Sequence, residues 1–343
     1  MTLSAERDHG FEAGAALLDV RDVVQEFGVG HSGPKGAVVH ALSGVSVTVA
    51  SKETLGVVGE TGCGKSTLAR AILQAPPPKS GQVLLNGVDL VKLKGRELRS
   101  ARRHVQMVAQ DPYSSLDPRW TVAELVEEPL NNFKIDDPER RRARALELLD
   151  LCGLDPSRYG GRHPRQLSGG QCQRVAIARA LSISPELVIC DEAVSSLDVS
   201  IQGQIINLLE TLREELDVAY LFIAHDLAVV EHLSDRIAVM YLGKIVEVGP
   251  SEEVNSHPFH PYTSALVAAV PDIDASSAER SEDPLAGKIA GEVPSPIDPP
   301  SGCRFRTRCP FALDRCKEEE PLLRELAPGH WSACHFPLLQ SSD

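Results

Sequence analysis

The chain has 343 residues, a formal net charge of −13, 42% hydrophobic and 24% charged residues, which suits one large globular domain with an appendage, or two domains. The acidic balance argues against nucleic acid as the main partner, because a phosphate backbone demands a basic face. No stretch approaches the about 18 consecutive apolar residues of a spanning helix, and residues 1–10 lack an apolar signal core, so the eight cysteines are expected in the cytoplasm, reduced, metal-bound or catalytic rather than paired.

Residues 1–17 read as a loose tail. Segments 17–24 and 45–49 alternate like strands, and the Gly-rich stretch 28–36 between them reads as a hairpin loop. Residues 54–58 form a continuous apolar run, a candidate buried strand. It leads straight into a Gly-rich loop, 59–67, and a helical pattern over 68–74. Residues 83–85 followed by Asn86-Gly87 look like a strand and a tight turn. From 122 to 180 the pattern is helical, with apolar spacing of three and four over 145–151. Residues 187–190 and 218–224 read as further buried strands, and 237–241 with 244–248 as a closing hairpin. The 272–300 stretch is rich in Pro, Ser and acidic residues and reads as a linker or extended arm. There is no internal repeat.

Three motifs carry chemistry. Gly59-Glu60-Thr61-Gly62-Cys63-Gly64-Lys65-Ser66-Thr67 fits G-x4-G-K-[ST] between a predicted strand and a helix. Glycines let backbone N–H groups curl around phosphates, and the helix start adds positive potential. Lys65 would reach the β- and γ-phosphates and the Ser66 hydroxyl would bind Mg²⁺. The run 187–190 ends in Asp191 and Glu192. Asp191 at the strand tip would hold Mg²⁺, and Glu192 would act as general base on the attacking water. Leu167-Ser168-Gly169-Gly170-Gln171 precedes a helical run. Alone it is an ordinary helix start, but with the other two motifs it reads as a second phosphate-binding nest.

With these motifs in this order the sequence resembles the ABC ATPase family over about residues 17–250. Residues 59–67 resemble its Walker A loop, Gln110 in Gln110-Asp111-Pro112 its Q-loop glutamine, 167–171 its signature, and 187–192 its Walker B with catalytic glutamate. Ser196-Leu197-Asp198 resembles the D-loop and His225 in Ala224-His225-Asp226 the H-loop histidine. The resemblance implies that Phe27 stacks on adenine, Gln110 contacts Mg²⁺ or the attacking water, and His225 contacts the γ-phosphate. It also implies head-to-tail pairing of two cassettes, so that Lys65 and Ser168 of one chain serve two different ATP molecules. Cys172 after the signature and Ala193 after the glutamate depart from the usual pattern, but neither removes a catalytic group.

Residues 110–119, His260-Pro261-Tyr262-Thr263, Gly291-Glu292-Val293-Pro294-Ser295-Pro296, Pro300-Ser301-Gly302-Cys303 and Arg308-Cys309-Pro310 resemble the ATPases of oligopeptide/dipeptide importers, in detail the second, F-type subunit. Cys303, Cys309, Cys316 and Cys334 are spaced C-x5-C-x6-C-x17-C. Four thiolates hold tetrahedral Zn²⁺ or a [4Fe–4S] cluster, or stay free. The spacing lacks the paired C-x2-C knuckles of zinc ribbons, and the family resemblance favours the cluster. His330 and His335 lie near enough in sequence to replace a thiol in a zinc site.

The expected fold is therefore an α/β P-loop NTPase of the ABC cassette type. It has a mixed β core, an antiparallel β subdomain and an inserted helical subdomain at about 112–180, within a cassette spanning 18–250. A Cys-containing extension over 251–343 reads as a unit separate from the ATP site. The expected function is ATP hydrolysis powering oligopeptide or dipeptide import at the cytoplasmic face of the membrane. The implied partners are a sister ATPase, two permeases and, through them, an extracytoplasmic binding protein. An importer for another solute, and a soluble ABC ATPase with a metal-sensing tail, stand as alternatives.

Overall fold

A computed structural model describes residues 16–29, 36–269 and 291–338. The start of the expected tail, the tip of the first hairpin and most of the Pro-rich arm lie outside these residues.

β1 (Leu18–Gly28) and β2 (Val38–Val49) pair antiparallel from Leu18↔Val49 to Gly28↔Val38. Leu18, Val20, Val23, Leu42, Val45, Val47 and Val49 are buried. Both strands outrun the apolar alternation, because backbone pairing continues past the point where side chains stop being buried. β3 (Thr54–Val58) is buried at every residue and is followed by α1 (Lys65–Ile72). β4 (Ser80–Leu85) turns into β5 (Val88–Asp89) through Asn86 (φ 50°) and Gly87 (φ 74°), the left-handed pair that a two-residue hairpin needs. The first sheet has the order β2-β1-β4-β5.

After α2 (Gly95–Ala101) comes β6 (Val105–Val108), which has no counterpart among the expected strands. Its four residues are too few for a period, and pairing with β7 defines it. Helices α3 (Pro112–Ser115), α4 (Val122–Phe133), α5 (Pro138–Leu151), α6 (Pro156–Tyr159) and α7 (Gly169–Leu181) follow. A capping box of Thr121 and Glu124 starts α4, and Asp137 caps α5. Leu125 and Val126 of α4, Leu148 and Leu149 of α5 and Val175 of α7 share one buried cluster.

The rest of the cassette is β7 (Leu187–Asp191), α8 (Val199–Leu216), β8 (Ala219–Ile223), α9 (Leu227–Leu233), β9 (Arg236–Tyr241) and β10 (Lys244–Pro250). Then come α10 (Ser251–Ser256), α11 (Pro261–Ala268), α12 (Asp314–Glu318), β11 (Arg324–Ala327) and β12 (His330–Ser332). The second sheet runs β11-β12-β10-β9-β3-β8-β7-β6. β9, β3, β8, β7 and β6 are mutually parallel, so their carboxyl ends share one edge.

Two expectations are corrected here. The β9–β10 hairpin does not close the sheet, because β12 pairs with β10 and β11 with β12. For the same reason the Cys-containing segment is not a separate unit. Two of its strands continue the cassette sheet, and Phe305 joins the main core. Among the described residues no helix is long and apolar enough to cross a membrane.

Candidate nucleotide site

Parallel sheets bind ligands at the carboxyl ends of their strands. Here β3 ends at the 59–67 loop, β6 leads to Gln110, β7 ends at Asp191 and Glu192, and β8 leads to His225. In the loop, Gly64 stands at φ 114°, and a Cβ there would meet the Ala41 carbonyl oxygen at 2.5 Å, so only glycine fits. No side chain caps the start of α1, which leaves its first amides to a ligand.

Lys65 is buried, and its Nζ donates to the Gly59 oxygen at 2.7 Å and the Glu60 oxygen at 3.2 Å. The same Nζ lies 4.0 Å from Glu192 Oε1. Ser66 Oγ donates to Asp191 Oδ1 at 2.8 Å. Burial pushes the Asp191 carboxyl above its ordinary range, the Ser66 hydroxyl pulls it back down, and the neighbouring Glu192 charge pushes it up again. Gln110 Nε2 donates to Glu192 Oε2 at 2.8 Å and to Ser195 Oγ at 3.3 Å. Glu192 itself sits at φ 50° and is pinned by its N–H to the Ile223 oxygen at 2.9 Å. That bond sets the strand-tip carboxylate beside the β8 end that carries His225. His225 is exposed. Within the loop Thr61 and Gly62 are exposed, Thr67 is half-buried, and Cys63 is buried, with burial pushing its thiol up.

Two hydrogen-bonded pairs, Ser66 with Asp191 and Gln110 with Glu192, thus lie side by side, with Lys65 4.0 Å from Glu192 and His225 at the adjoining strand end. Other expected residues stand apart. Phe27 lies near the end of β1, opposite Val39 and exposed. Ser168 and Gln171 form a capping box on α7, and Gly169 and Gly170 face Leu197 and Ile201. Asp198 caps α8 by accepting from the Ile201 N–H at 3.0 Å. Among the described residues no hydrogen bond or ion pair joins 167–171 to 59–67. The departures noted in the sequence are packing positions, since Cys172 and Ala193 are both buried.

Two residues missed in the sequence touch the loop. Arg308 Nη1 reaches both carboxylate oxygens of Glu60, at 2.9 and 3.1 Å, and Tyr262 Oη accepts from the Glu60 N–H at 2.9 Å. The available clue was Glu60 itself, because an acid inside a phosphate-binding loop needs a cation beside it.

Cys303, Cys309, Cys316 and Cys334 line one small cavity together with His260 and His335. All four are free thiols. Burial pushes Cys309 up to about 11, Cys334 up to about 12 and Cys303 upward. Among the described residues no three His, Cys, Asp or Glu side chains are arranged to share a single metal ion. His330 is engaged elsewhere: its Nε2 bonds Glu247 Oε1 at 2.7 Å and its ring stacks on Phe259 at 4.2 Å. His335 Nε2 bonds the Glu319 oxygen at 2.9 Å. His260 differs from both. Burial pulls its pKa down to about 3, so the ring is neutral, and Nδ1 accepts from the Tyr262 N–H at 3.0 Å. The proton therefore sits on Nε2, which is buried without a partner.

Comparison with known proteins fits this geometry. Residues 42–195 match the ABC transporter family and residues 246–316 the oligopeptide/dipeptide transporter C-terminal region. The chain is 50% identical over 322 residues to the probable peptide ABC transporter ATP-binding protein y4tS of Sinorhizobium fredii, covering 93% of this chain and 90% of that one. It is 47% identical over 323 residues to the oligopeptide transport ATP-binding protein AppF of Bacillus subtilis, covering 93% and 97%. Among solved structures, the ATP-binding cassette MJ0796, bound to ADP and Pi as a post-hydrolysis dimer, superposes with a TM-score of 0.61 at 32% identity, covering 68% of this chain and 98% of that one. A cassette with this loop, these strand-tip carboxylates and this C-terminal region belongs to the ABC transporter ATP-binding proteins of the oligopeptide/dipeptide transporter group, and is an ATPase.

Proposed function

We propose that this chain is one of the two ATPases of a peptide importer, the F-type one, working at the cytoplasmic face of a membrane. The observation that carries the reading is the Gln110–Glu192 hydrogen bond beside Lys65, Ser66 and Asp191, attached to the C-terminal region shared with peptide transporter ATPases. The cassette spans about 18–250, with helices from 112 to 181 as its inserted part, and the extension begins at 251.

Glu192 takes the proton of the attacking water, and Gln110 holds that carboxylate and the water in line. Lys65 neutralises the β- and γ-phosphates and His225 contacts the γ-phosphate. Asp191, with burial opposing its charge and a hydroxyl as its hydrogen-bond partner, suits a hard cation. Ser66 and Asp191 would hold Mg²⁺. Bound there, it neutralises charge developing on the phosphates. Ser168, Gly169, Gly170 and Gln171 serve the ATP of a sister ATPase, with Asp198 at the same interface, while Phe27 stacks on this chain's own adenine. Two permeases couple hydrolysis to transport, and a binding protein on the far side delivers the peptide.

The test is reconstitution of the chain with its sister ATPase and two permeases in proteoliposomes. ATP hydrolysis should rise when a peptide-loaded binding protein is added outside. Stimulation by a different loaded solute, with none by peptides, would move the chain to another importer.

For the four thiols we propose a [4Fe–4S] cluster. A single Zn²⁺ holds its sulfurs at about 2.3 Å, which demands a tight cluster of ligands, whereas four irons let the thiolates stand farther apart. The orphaned His260 Nε2–H, on a residue lining the same cavity, is a donor suited to a cluster sulfur. Bound, the cluster would cross-link the stretches that carry these four cysteines. Anaerobic protein should be brown, with about four irons per chain. One equivalent of zinc, or four titratable thiols and no metal, would exclude the cluster.

A further inference from the structure

Glu60 is held on three sides. Its carboxylate accepts from Arg308 and its N–H donates to Tyr262. Its carbonyl accepts from Lys65 Nζ at 3.2 Å. The first two partners come from outside the cassette strands, Arg308 from a point 248 residues further along the chain.

Both partners are rigidly set. Tyr262 is fully buried, and its ring lies 4.7 Å from Tyr241 and 5.4 Å from Phe305. The Arg308 side chain is 10% exposed, against 28% for Glu60, and its guanidinium lies 5.9 Å from the Tyr241 ring centroid. The Arg308 N–H donates to the Phe305 oxygen at 2.9 Å, and the Cys309 N–H to the same oxygen at 3.0 Å. The turn that carries Arg308 is therefore fastened to the aromatic cluster that carries Tyr262.

A phosphate loop binds well only in the one conformation that aims its amides at the ligand, and affinity falls by whatever fraction of the loop lies elsewhere. Glu60 also brings a negative charge into a site built for anions, and Arg308 neutralises it. We propose that Arg308 and Tyr262 are positioning residues for ATP: they fix Glu60, and through its carbonyl Lys65, so that nucleotide affinity depends on the C-terminal segment. This rests on the assignment of 59–67 as the ATP site.

The test uses the full chain, with equilibrium binding of a fluorescent ATP analogue plus Mg²⁺ and thermal melting of the same samples. Arg308→Ala should raise the Kd for ATP roughly fivefold, the scale of a partly exposed ion pair acting at one remove. Arg308→Lys should stay near wild type, and Tyr262→Phe should lie between. The exchanged pair Glu60→Arg with Arg308→Glu should bind ATP better than either single exchange, because the two changes share one contact. A merely structural contact would lower the melting temperature and leave Kd unmoved, which overturns the proposal; so would additive effects of the two exchanges. If Arg308→Ala does not fold, the exchanged pair and Tyr262→Phe decide by the same Kd criterion. Lys65→Ala is the control. If it binds ATP normally, the site assignment has failed, whereas if it loses ATP while Arg308→Ala does not, only the coupling has failed.

Discussion

Two glycine turns in this molecule lead into helix N-termini, and they are finished differently. The 59–67 loop enters α1 with no side-chain cap, and Lys65, Ser66, Asp191, Glu192 and Gln110 are linked beside it. The 168–171 turn enters α7 already capped: Gln171 Oε1 accepts from the Ser168 N–H at 3.0 Å and Ser168 Oγ from the Gln171 N–H at 3.3 Å. It brings no acid or lysine of its own, and among the described residues none of its hydrogen bonds reaches the first loop. One turn is equipped to break a phosphate bond and the other only to face one. A chain with both, kept apart, is what the proposed head-to-tail pairing requires, with each turn serving a different ATP.

The largest effect should come from the equipped turn. Glu192→Gln keeps the shape and the Gln110 contact but cannot accept a proton, so hydrolysis at saturating ATP should fall by about 10²- to 10⁴-fold. ATP binding should survive, in contrast to Lys65→Ala, which removes charge from the phosphates and should weaken binding itself. Turnover measured beside equilibrium binding separates the two. Hydrolysis by Glu192→Gln at the wild-type rate would place the base elsewhere.

The capped turn should show the reverse pattern. Ser168→Arg puts bulk and charge where a partner's nucleotide would sit, while this chain's own loop is untouched. Paired with a wild-type sister ATPase, the variant should bind its own ATP normally, and the partner-loop ATP should be hydrolysed at least about tenfold more slowly. Full turnover by an isolated, strictly monomeric chain would break the comparison altogether.

The same contrast separates what the sequence made legible from what it did not. Phosphate binding needs glycines at fixed spacing before a helix, and a Mg²⁺ site needs a carboxylate at a strand tip. Both demands are local, so 59–67 and 187–192 could be read residue by residue. β6 could not be read, because four residues carry no period and its partner β7 lies far along the chain. β11 and β12 are shorter than a recognisable alternation and exist by pairing, β12 with β10 and β11 with β12. Arg308 and Tyr262 have no local signal at all. Their contacts with Glu60 span 202 and 248 residues of sequence, and the expectation of a separate unit failed there. The cysteines were legible as a group meeting at one site, but the unpartnered His260 beside them was not.

Packing at the capped turn gives a smaller effect. A Cβ on Gly170 would meet Ile201 Cγ2 at 2.6 Å. Gly170→Ala gains about 1 kcal/mol of helix propensity but overpacks against a β-branched side chain, at a cost of about 1–3 kcal/mol. The expected net result is a loss of about 1 kcal/mol by denaturant unfolding. Ile201→Ala should offset part of it, because the two changes share one contact. An unchanged midpoint would mean that α8 moves freely against α7.

The smallest expected effect lies at Asp198, where two roles meet. Its side chain caps α8 through the Ile201 N–H, and its proposed second role is at the interface with the partner's nucleotide. Asp198→Ala removes both and should cost about 1 kcal/mol of stability. Asp198→Asn separates them, because asparagine caps a helix as well as aspartate does but carries no charge. If capping is the whole role, the asparagine variant should match wild type in both unfolding midpoint and turnover with the sister ATPase. If the charge works across the interface, the asparagine variant should keep its midpoint and lose turnover. That result would extend the capped turn's half-site from α7 to the start of α8, the two helices that Gly170 and Ile201 already bring into contact.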